Sequence, residues 1–86
     1  MIRDVVVEVL VGVAGDQGVV VAPDRLGDDS VLLESGLDSL GFAILVAELD
    51  ARLGYDPFVL MTTPVYPRTL GEFIAVYERF ADHARA

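Results

Sequence analysis

One proline-free run, from Leu40 to Leu53, most constrains the fold of this chain. Asp38 and Ser39 precede it, and both are favoured helix N-caps because a side-chain oxygen there accepts a hydrogen bond from an orphan backbone N–H group. Gly54 follows the run, and glycine commonly ends a helix in the left-handed conformation. The sequence therefore predicts a helix with Ser39 at its N-terminus and the Ser39 hydroxyl facing solvent at the end of a loop.

A helix N-terminus suits a phosphate group, because its unpaired N–H groups and partial positive charge face the anion. A serine at this position is therefore well placed to carry a phosphodiester. Gly36, three residues earlier in the chain, can supply a backbone turn that other residues resist.

The motif Gly36-Leu37-Asp38-Ser39-Leu40 resembles the Asp-Ser-Leu attachment motif of the acyl carrier protein family. The preceding Leu32-Leu33-Glu34-Ser35, the helix behind the motif and the short chain extend the resemblance over most of the sequence. In that family the serine carries 4′-phosphopantetheine, taken from coenzyme A, whose terminal thiol holds acyl groups as thioesters. The resemblance implies that Ser39 is the attachment residue, that Asp38 caps the helix and that Leu40 packs beside the arm.

The resemblance also implies an all-α fold, a bundle of three main helices and a possible short one with a long loop between helices 1 and 2. Residues 3–14 by themselves leave helix and strand nearly even, because their valines alternate as in a strand while Val6, Val9, Leu10 and Val13 also recur at helical spacing. The resemblance decides for a helix.

Two later helix starts are predicted from local signals. Asp56-Pro57 is an N-cap followed by proline at the first helical position. Two further prolines, Pro64 and Pro67, exclude a regular helix from the connection that follows. Thr69 and Glu72 then match a capping box at the start of the last helix.

The apolar side chains predict which faces pack inward. On the motif helix the core stripe comprises Phe42, Leu45, Val46, Leu49 and Leu53, and on the last helix Leu70, Phe73, Ile74, Tyr77 and Phe80. In the loops, the expected inward anchors are Val19–Val21, Leu26, Val31, Leu32, Leu33, Tyr55, Phe58, Met61 and Tyr66. Some of the aromatic anchors have an alternative interpretation, as the lining of a pocket for an acyl chain.

Composition excludes several classes of function. The 86 residues suit one carrier domain over 1–86, and Met1 ahead of it predicts a free-standing protein. The net charge of −8 argues against nucleic acid and anionic membranes. The chain has no cysteine and a single histidine, His83, which excludes a thiolate site and a zinc cluster. Its motif lacks the Gly-x-Ser-x-Gly spacing of a serine hydrolase. We expect a non-catalytic, cytoplasmic, monomeric carrier with no metal site.

The expected partners are a phosphopantetheinyl transferase, an acyl-loading ligase or acyltransferase, and a downstream synthase or condensing enzyme. The loop that leads into the motif is acidic, with Asp24, Asp28, Asp29, Glu34 and Asp38. This acidic loop is either a solvated loop or a docking surface, and beside the motif we favour docking. The predicted partner surface comprises Asp28, Asp29, Glu34, Gly41, Ile44, Ala47 and Glu48. On the motif helix the partner-facing side is apolar, with Leu40, Gly41, Ile44 and Ala47. This apolar face favours a specialised fatty-acyl, polyketide or lipopeptide pathway. An aminoacyl or peptidyl carrier, or an unmodified interaction module with the carrier fold, is the alternative.

Overall fold

The computed structural model describes residues 1–34, 37–63 and 66–83. Four α-helices occupy these ranges: α1 at Ile2–Asp16, α2 at Ser39–Leu53, α3 at Pro57–Leu60 and α4 at Leu70–Arg79. Short 3-10 turns lie at Pro23–Arg25, Leu32–Glu34 and Ala81–His83, and no strand occurs in the described ranges. The all-α prediction is confirmed, including the short third helix and the long loop before α2. The turn predicted at Gly36 and the effect of Pro64 fall outside the described residues.

The first helix forms despite its alternating valines. Its buried side chains, Val6, Val9, Leu10 and Val13, lie on one face and pack towards α2 and α4. Tertiary packing of one apolar face contributes more to helix stability than intrinsic propensity does, so the branched valines do not prevent the helix. None of the helices in the described ranges is long and apolar enough to cross a membrane.

Helices α1 and α2 run antiparallel. Just after the end of α1, the Gln17 amide lies 3.2 Å from the Asp38 carboxylate at the start of α2. Towards the other end of the pair, the Arg52 guanidinium of α2 donates a 2.9 Å hydrogen bond to Glu8 of α1. These two contacts place the N-terminus of α2 beside the C-terminus of α1.

The last helix supplies the largest buried side chains, including Phe73 and Tyr77. At its start the Thr69 hydroxyl accepts a hydrogen bond from the Glu72 amide at 3.2 Å, as predicted. The Glu72 carboxylate, however, accepts from the Arg68 amide at 2.9 Å, one residue earlier than a capping box requires. The Thr69 cap is therefore confirmed. The return hydrogen bond of the capping box, from a backbone amide to the Glu72 carboxylate, comes from Arg68 and not from Thr69.

The long loop is held against the start of α4 by short antiparallel pairing. Val31 and Thr69 form an isolated β-bridge, and the flanking Leu32 amide donates to the Arg68 carbonyl at 3.0 Å. The Gly71 amide donates to the Asp28 carbonyl, also at 3.0 Å. A Cβ atom on Gly71 would lie 2.9 Å from the Cβ of Asp28, so this close approach requires glycine.

Four of the predicted inward anchors were wrong, and the first of them, Val19, is 40% exposed. Leu33 is 58% exposed because it follows the buried Leu32 in a 3-10 turn, which points successive side chains in different directions. Val20 is 98% exposed, since Gly18 turns the chain away from α1 with a φ of 84°. Tyr66 lies 87% exposed in the non-helical segment before α4.

Candidate functional site

The start of α2 is fixed by the Asp38 side chain. Asp38 has an extended backbone, with φ −101° and ψ −172°, and its Oδ1 accepts a 2.7 Å hydrogen bond from the Gly41 amide. Ser39 is the first residue of the helix and is exposed. Of the two predicted capping residues Asp38 is the cap, which leaves Ser39 at the solvent side of the helix end.

The Asp38 carboxylate also contacts the end of α1. The Gln17 side-chain amide donates to the same Oδ1 atom at 3.2 Å. The Gly41 amide first, and the Gln17 amide second, hold the pKa of Asp38 below its ordinary value by stabilising the charged carboxylate. The carboxylate is therefore ionised at neutral pH and held from two helices.

Gly41 is buried, which contradicts its predicted place on the partner surface. A Cβ atom there would lie 2.6 Å from the Gln17 side-chain oxygen and 3.2 Å from a methyl carbon of Leu37. The position faces the end of α1 because Gln17 packs directly over it. Sequence reasoning missed Gln17, which lies in a turn of polar and glycine residues far from the motif.

Four other residues predicted on or beside this face of α2 are exposed: Leu40, Ile44, Ala47 and Glu48. Their spacings of three and four residues put them on one side of the helix. Leu40 is 65% exposed and Ile44 is 37% exposed, so apolar surface faces solvent within the first two turns after Ser39. The structure thus brings this part of the predicted partner surface together.

The acidic loop residues do not all join that face. Asp28 is paired with Arg3 at the start of α1, whereas Asp38 contacts Gln17 just after its end. Since a helix rises about 1.5 Å per residue, these two ends of the 15-residue α1 are roughly 20 Å apart. Asp29 and Glu34 are exposed. The predicted surface is therefore divided, with Asp28 at the end of α1 away from Ser39.

A groove of about 710 Å³ opens beside Ser39. Its described lining residues are Val31, Leu32, Leu33, Ser39, Phe42, Ala43, Val46, Phe58, Tyr66, Pro67 and Arg68. Nearly all are apolar, and Arg68 is the one charged residue among them. The groove runs between α2 and the paired segments before α2 and α4.

Aromatic rings form one wall of this groove and the core behind it. The rings of Phe42 and Phe58 line the groove, and their centroids lie 5.6 Å and 6.0 Å from that of buried Phe73. Phe73 in turn lies 5.0 Å from the Tyr77 ring. Three aromatic residues and Met61 were predicted as anchors here. Tyr55 is buried and packs into this core, Phe58 and Tyr66 line the groove, and Met61 is half-buried.

The described residues contain no group arranged to activate Ser39 or to hold a metal ion. No hydrogen bond to the Ser39 hydroxyl occurs among them, and no cluster of histidine and acidic side chains has metal-binding geometry. The ring of His83 lies beside Phe80, after α4. Ser39 is therefore an accessible hydroxyl without a base in this part of the chain.

The helix end fits a covalently attached phosphodiester. The first turn of α2 contains no acidic side chain beyond the cap, and the N-terminus of a 15-residue helix favours negative charge. An exposed hydroxyl at this position also leaves room for a long substituent. These features agree with a phosphopantetheine arm.

Comparison with known families supports the same conclusion. The family model described as "Phosphopantetheine attachment site" matches residues 4–59, which include most of α1, the loop, α2 and most of α3. No curated protein and no solved structure gives a significant match. Domains of this family carry covalent 4′-phosphopantetheine, serve as carriers and are generally non-catalytic. The chain belongs to the family of phosphopantetheine-attachment carrier domains.

Proposed function

We propose that residues 1–86 form one carrier domain in which Ser39 bears the phosphopantetheine arm and presents acyl thioesters to partner enzymes. The observation that carries this proposal is the position of Ser39 as the exposed first residue of α2, beside the Asp38 cap and within the matched region. The helix N-terminus stabilises the phosphodiester, and solvent surrounds the side from which the arm would extend.

The chemistry of attachment belongs to a separate transferase. The Ser39 Oγ atom attacks the β-phosphate of coenzyme A, the new bond is Oγ–P, and adenosine 3′,5′-bisphosphate leaves. The hydroxyl proton passes to a base on the transferase, where Mg²⁺ is also bound. This chain supplies the acceptor hydroxyl and its position, which agrees with the lack of a base beside Ser39 among the described residues.

The groove supports an acyl cargo over an aminoacyl one. Its described walls are apolar, so burial of a hydrocarbon chain there is favourable at about 25 cal/mol per Å². An aminoacyl thioester carries an ammonium group, and no acidic side chain stands among the described lining residues to pair with it. The Arg68 guanidinium would repel that charge.

The exposed α2 face is proposed as the first contact of partner enzymes. Leu40, Ile44, Ala47 and Glu48 combine apolar surface with one negative charge next to the attachment point. Asp29 and Glu34 add charge in the loop before α2, which favours encounter with basic patches. We propose a transferase, a loading ligase or acyltransferase, and a synthase or condensing enzyme of a specialised fatty-acyl, polyketide or lipopeptide pathway as these partners.

Intact-protein mass spectrometry tests the attachment. The protein is incubated with coenzyme A, Mg²⁺ and a broad-specificity phosphopantetheinyl transferase, alongside Ser39→Ala and the matched control Ser30→Ala. One added phosphopantetheine on the wild type and on Ser30→Ala, and none on Ser39→Ala, is expected. Modification of Ser39→Ala would assign the arm to another serine, and an unmodified, folded wild type would favour the unmodified interaction module.

Nuclear magnetic resonance tests the cargo. Octanoyl and alanyl forms, made by transfer from the corresponding coenzyme A thioesters, are compared with the holo form. The octanoyl form should shift the resonances of Phe42, Val46 and Phe58, while the alanyl form should not. Ala43→Trp, which fills the groove, should abolish the octanoyl shifts, and Val59→Trp on exposed α3 should retain them. Equal shifts with both cargoes would contradict the acyl preference.

A further inference from the structure

The side chain of Gln17 joins the end of α1 to the start of the attachment helix. Its amide nitrogen lies 3.2 Å from the Asp38 Oδ1 atom that caps α2. Asp38 immediately precedes Ser39, so a group that fixes the Asp38 carboxylate also fixes the first turn on which Ser39 stands.

The backbone of Gln17 is itself held by the end of α1. Its amide donates to the Ala14 carbonyl at 3.0 Å, and the Val19 amide donates to the same carbonyl at 2.9 Å. Gly18 takes a φ of 84°, which turns the chain away immediately after Gln17. The side chain therefore projects from an anchored position rather than from a free loop.

Gly41 leaves the space that Gln17 occupies. A Cβ atom at Gly41 would lie 2.6 Å from the Gln17 side-chain oxygen and 3.2 Å from its amide carbon. Glycine is unfavourable in a helix interior compared with alanine. Here its absent side chain admits the Gln17 amide into contact with α2, so the two residues act together on the cap.

We infer that Gln17 is a positioning residue for arm transfer to Ser39, acting by orienting the Asp38 cap and the first turn of α2. This inference rests on the proposed function of Ser39. Gln17 makes no hydrogen bond with the Ser39 hydroxyl, and its contribution is to hold the turn that presents this hydroxyl to the transferase.

Initial rates of modification, followed by intact-protein mass spectrometry with coenzyme A as the probe, test this inference. Gln17→Met keeps the length of the side chain and removes the amide, and we expect kcat/KM for arm transfer to fall roughly three- to tenfold, as for loss of one hydrogen bond of ordinary strength. Gln17→Glu places a second carboxylate against Asp38 and should lower it further. Val20→Glu, on an almost fully exposed side chain in the same loop, controls for added charge and should stay near the wild-type rate.

Gly41→Ala tests the same contact from the other side. The atom it displaces is the far end of a flexible side chain, so the helix should remain folded while the Gln17 amide moves off Asp38. We expect a lower transfer rate although alanine is the better helix former. That combination separates positioning from simple stability, and thermal unfolding of each variant establishes that it is folded.

The carboxylate of Asp38 provides a readout independent of transfer. Its pKa, measured by nuclear magnetic resonance, should rise in Gln17→Met, rise more in Gln17→Glu and stay unchanged in Val20→Glu. If the wild type is modified and the folded Gln17 and Gly41 variants match its rate, the inference is overturned and the proposed function stands. If the folded wild type is not modified, the proposed function fails and the inference fails with it.

Discussion

The Tyr55 hydroxyl donates a buried 2.6 Å hydrogen bond to the backbone carbonyl of Tyr77. Tyr55 comes directly after Gly54, which ends α2, and Tyr77 lies in α4. Their ring centroids are 5.8 Å apart. One side chain therefore ties the segment that follows α2 to the last helix of the bundle.

Removing that hydroxyl should weaken the fold. We expect Tyr55→Phe to lower the free energy of unfolding by about 1 kcal/mol, because a buried hydrogen bond is lost while the Tyr77 carbonyl retains its bond from the Phe80 amide. Urea unfolding at neutral pH measures the change. Tyr66→Phe, at an exposed ring, is the control and should be neutral. Equal stability of Tyr55→Phe and wild type would contradict the prediction.

Removing the hydroxyl of Tyr77 should have the opposite effect and stabilise the fold. It is buried and has no hydrogen-bond partner among the described residues. A buried polar group without a partner is destabilising, so Tyr77→Phe should raise the free energy of unfolding by about 1 kcal/mol. A loss of stability in urea unfolding would show that the hydroxyl is satisfied in solution.

The same hydroxyl should make the stability of the fold fall at alkaline pH. Burial is the main cause that raises the pKa of Tyr77 above its ordinary value, and the negative charge of Asp56 is the second. Because the folded pKa is raised, this titration leaves the free energy of unfolding unchanged below about pH 10, the pKa of an unfolded tyrosine, and lowers it as the pH rises towards the folded value. Unfolding free energies at about pH 8 and about pH 11 should therefore differ less in Tyr77→Phe than in the wild type.

Helix ends were predictable because their signals are local. The Asp38 cap, the left-handed Gly54, the Asp56-Pro57 start and the Thr69 cap each depend on a few adjacent residues, and all are confirmed. For α1 the local signals conflicted, since valine alternation favours a strand. Only packing against α2 and α4, which a single sequence does not display, determines the helix.

Only part of the candidate site could be predicted from the sequence. The position of Ser39 follows from the motif, but the burial of Gly41 depends on Gln17, which contacts the motif from 21 residues before Asp38. Likewise, apolar character did not show that Leu33 and Tyr66 point outwards, because exposed apolar residues are common on protein surfaces. A long-range contact sets the burial of Gly41, whereas the local 3-10 turn sets the exposure of Leu33.

Two glycines offer a matched test of helix energetics. Gly54 ends α2 with a φ of 86°, so Gly54→Ala should lower the free energy of unfolding by about 1–2 kcal/mol, since a Cβ atom is strained in that conformation. Gly12 is exposed within α1 with no atom near its Cβ position, so Gly12→Ala should raise stability by up to about 1 kcal/mol. Urea unfolding of both variants checks the signs. Changes of the same sign would refute the assigned backbone conformations.

Acid should weaken the start of α2 through Asp38. The hydrogen bonds from Gly41 and Gln17 lower the pKa of this carboxylate below its ordinary value of 3.8. Its contribution to stability is therefore complete above that ordinary value and is lost as the pH falls through the lowered one. An asparagine oxygen accepts the Gly41 hydrogen bond without titrating, so Asp38→Asn should lose less stability than the wild type between about pH 6 and about pH 3.

Urea midpoints at the two pH values measure this difference between Asp38→Asn and the wild type. Asp29→Asn removes a carboxylate from the exposed loop without touching the cap, and we expect it to lose stability in acid as the wild type does. The comparison isolates the cap because both variants carry the same change in charge, and only at Asp38 does the affected carboxylate receive the hydrogen bonds of Gly41 and Gln17. An equal acid-induced loss in the two variants would mean that the Asp38 carboxylate contributes nothing specific to the helix end that presents Ser39.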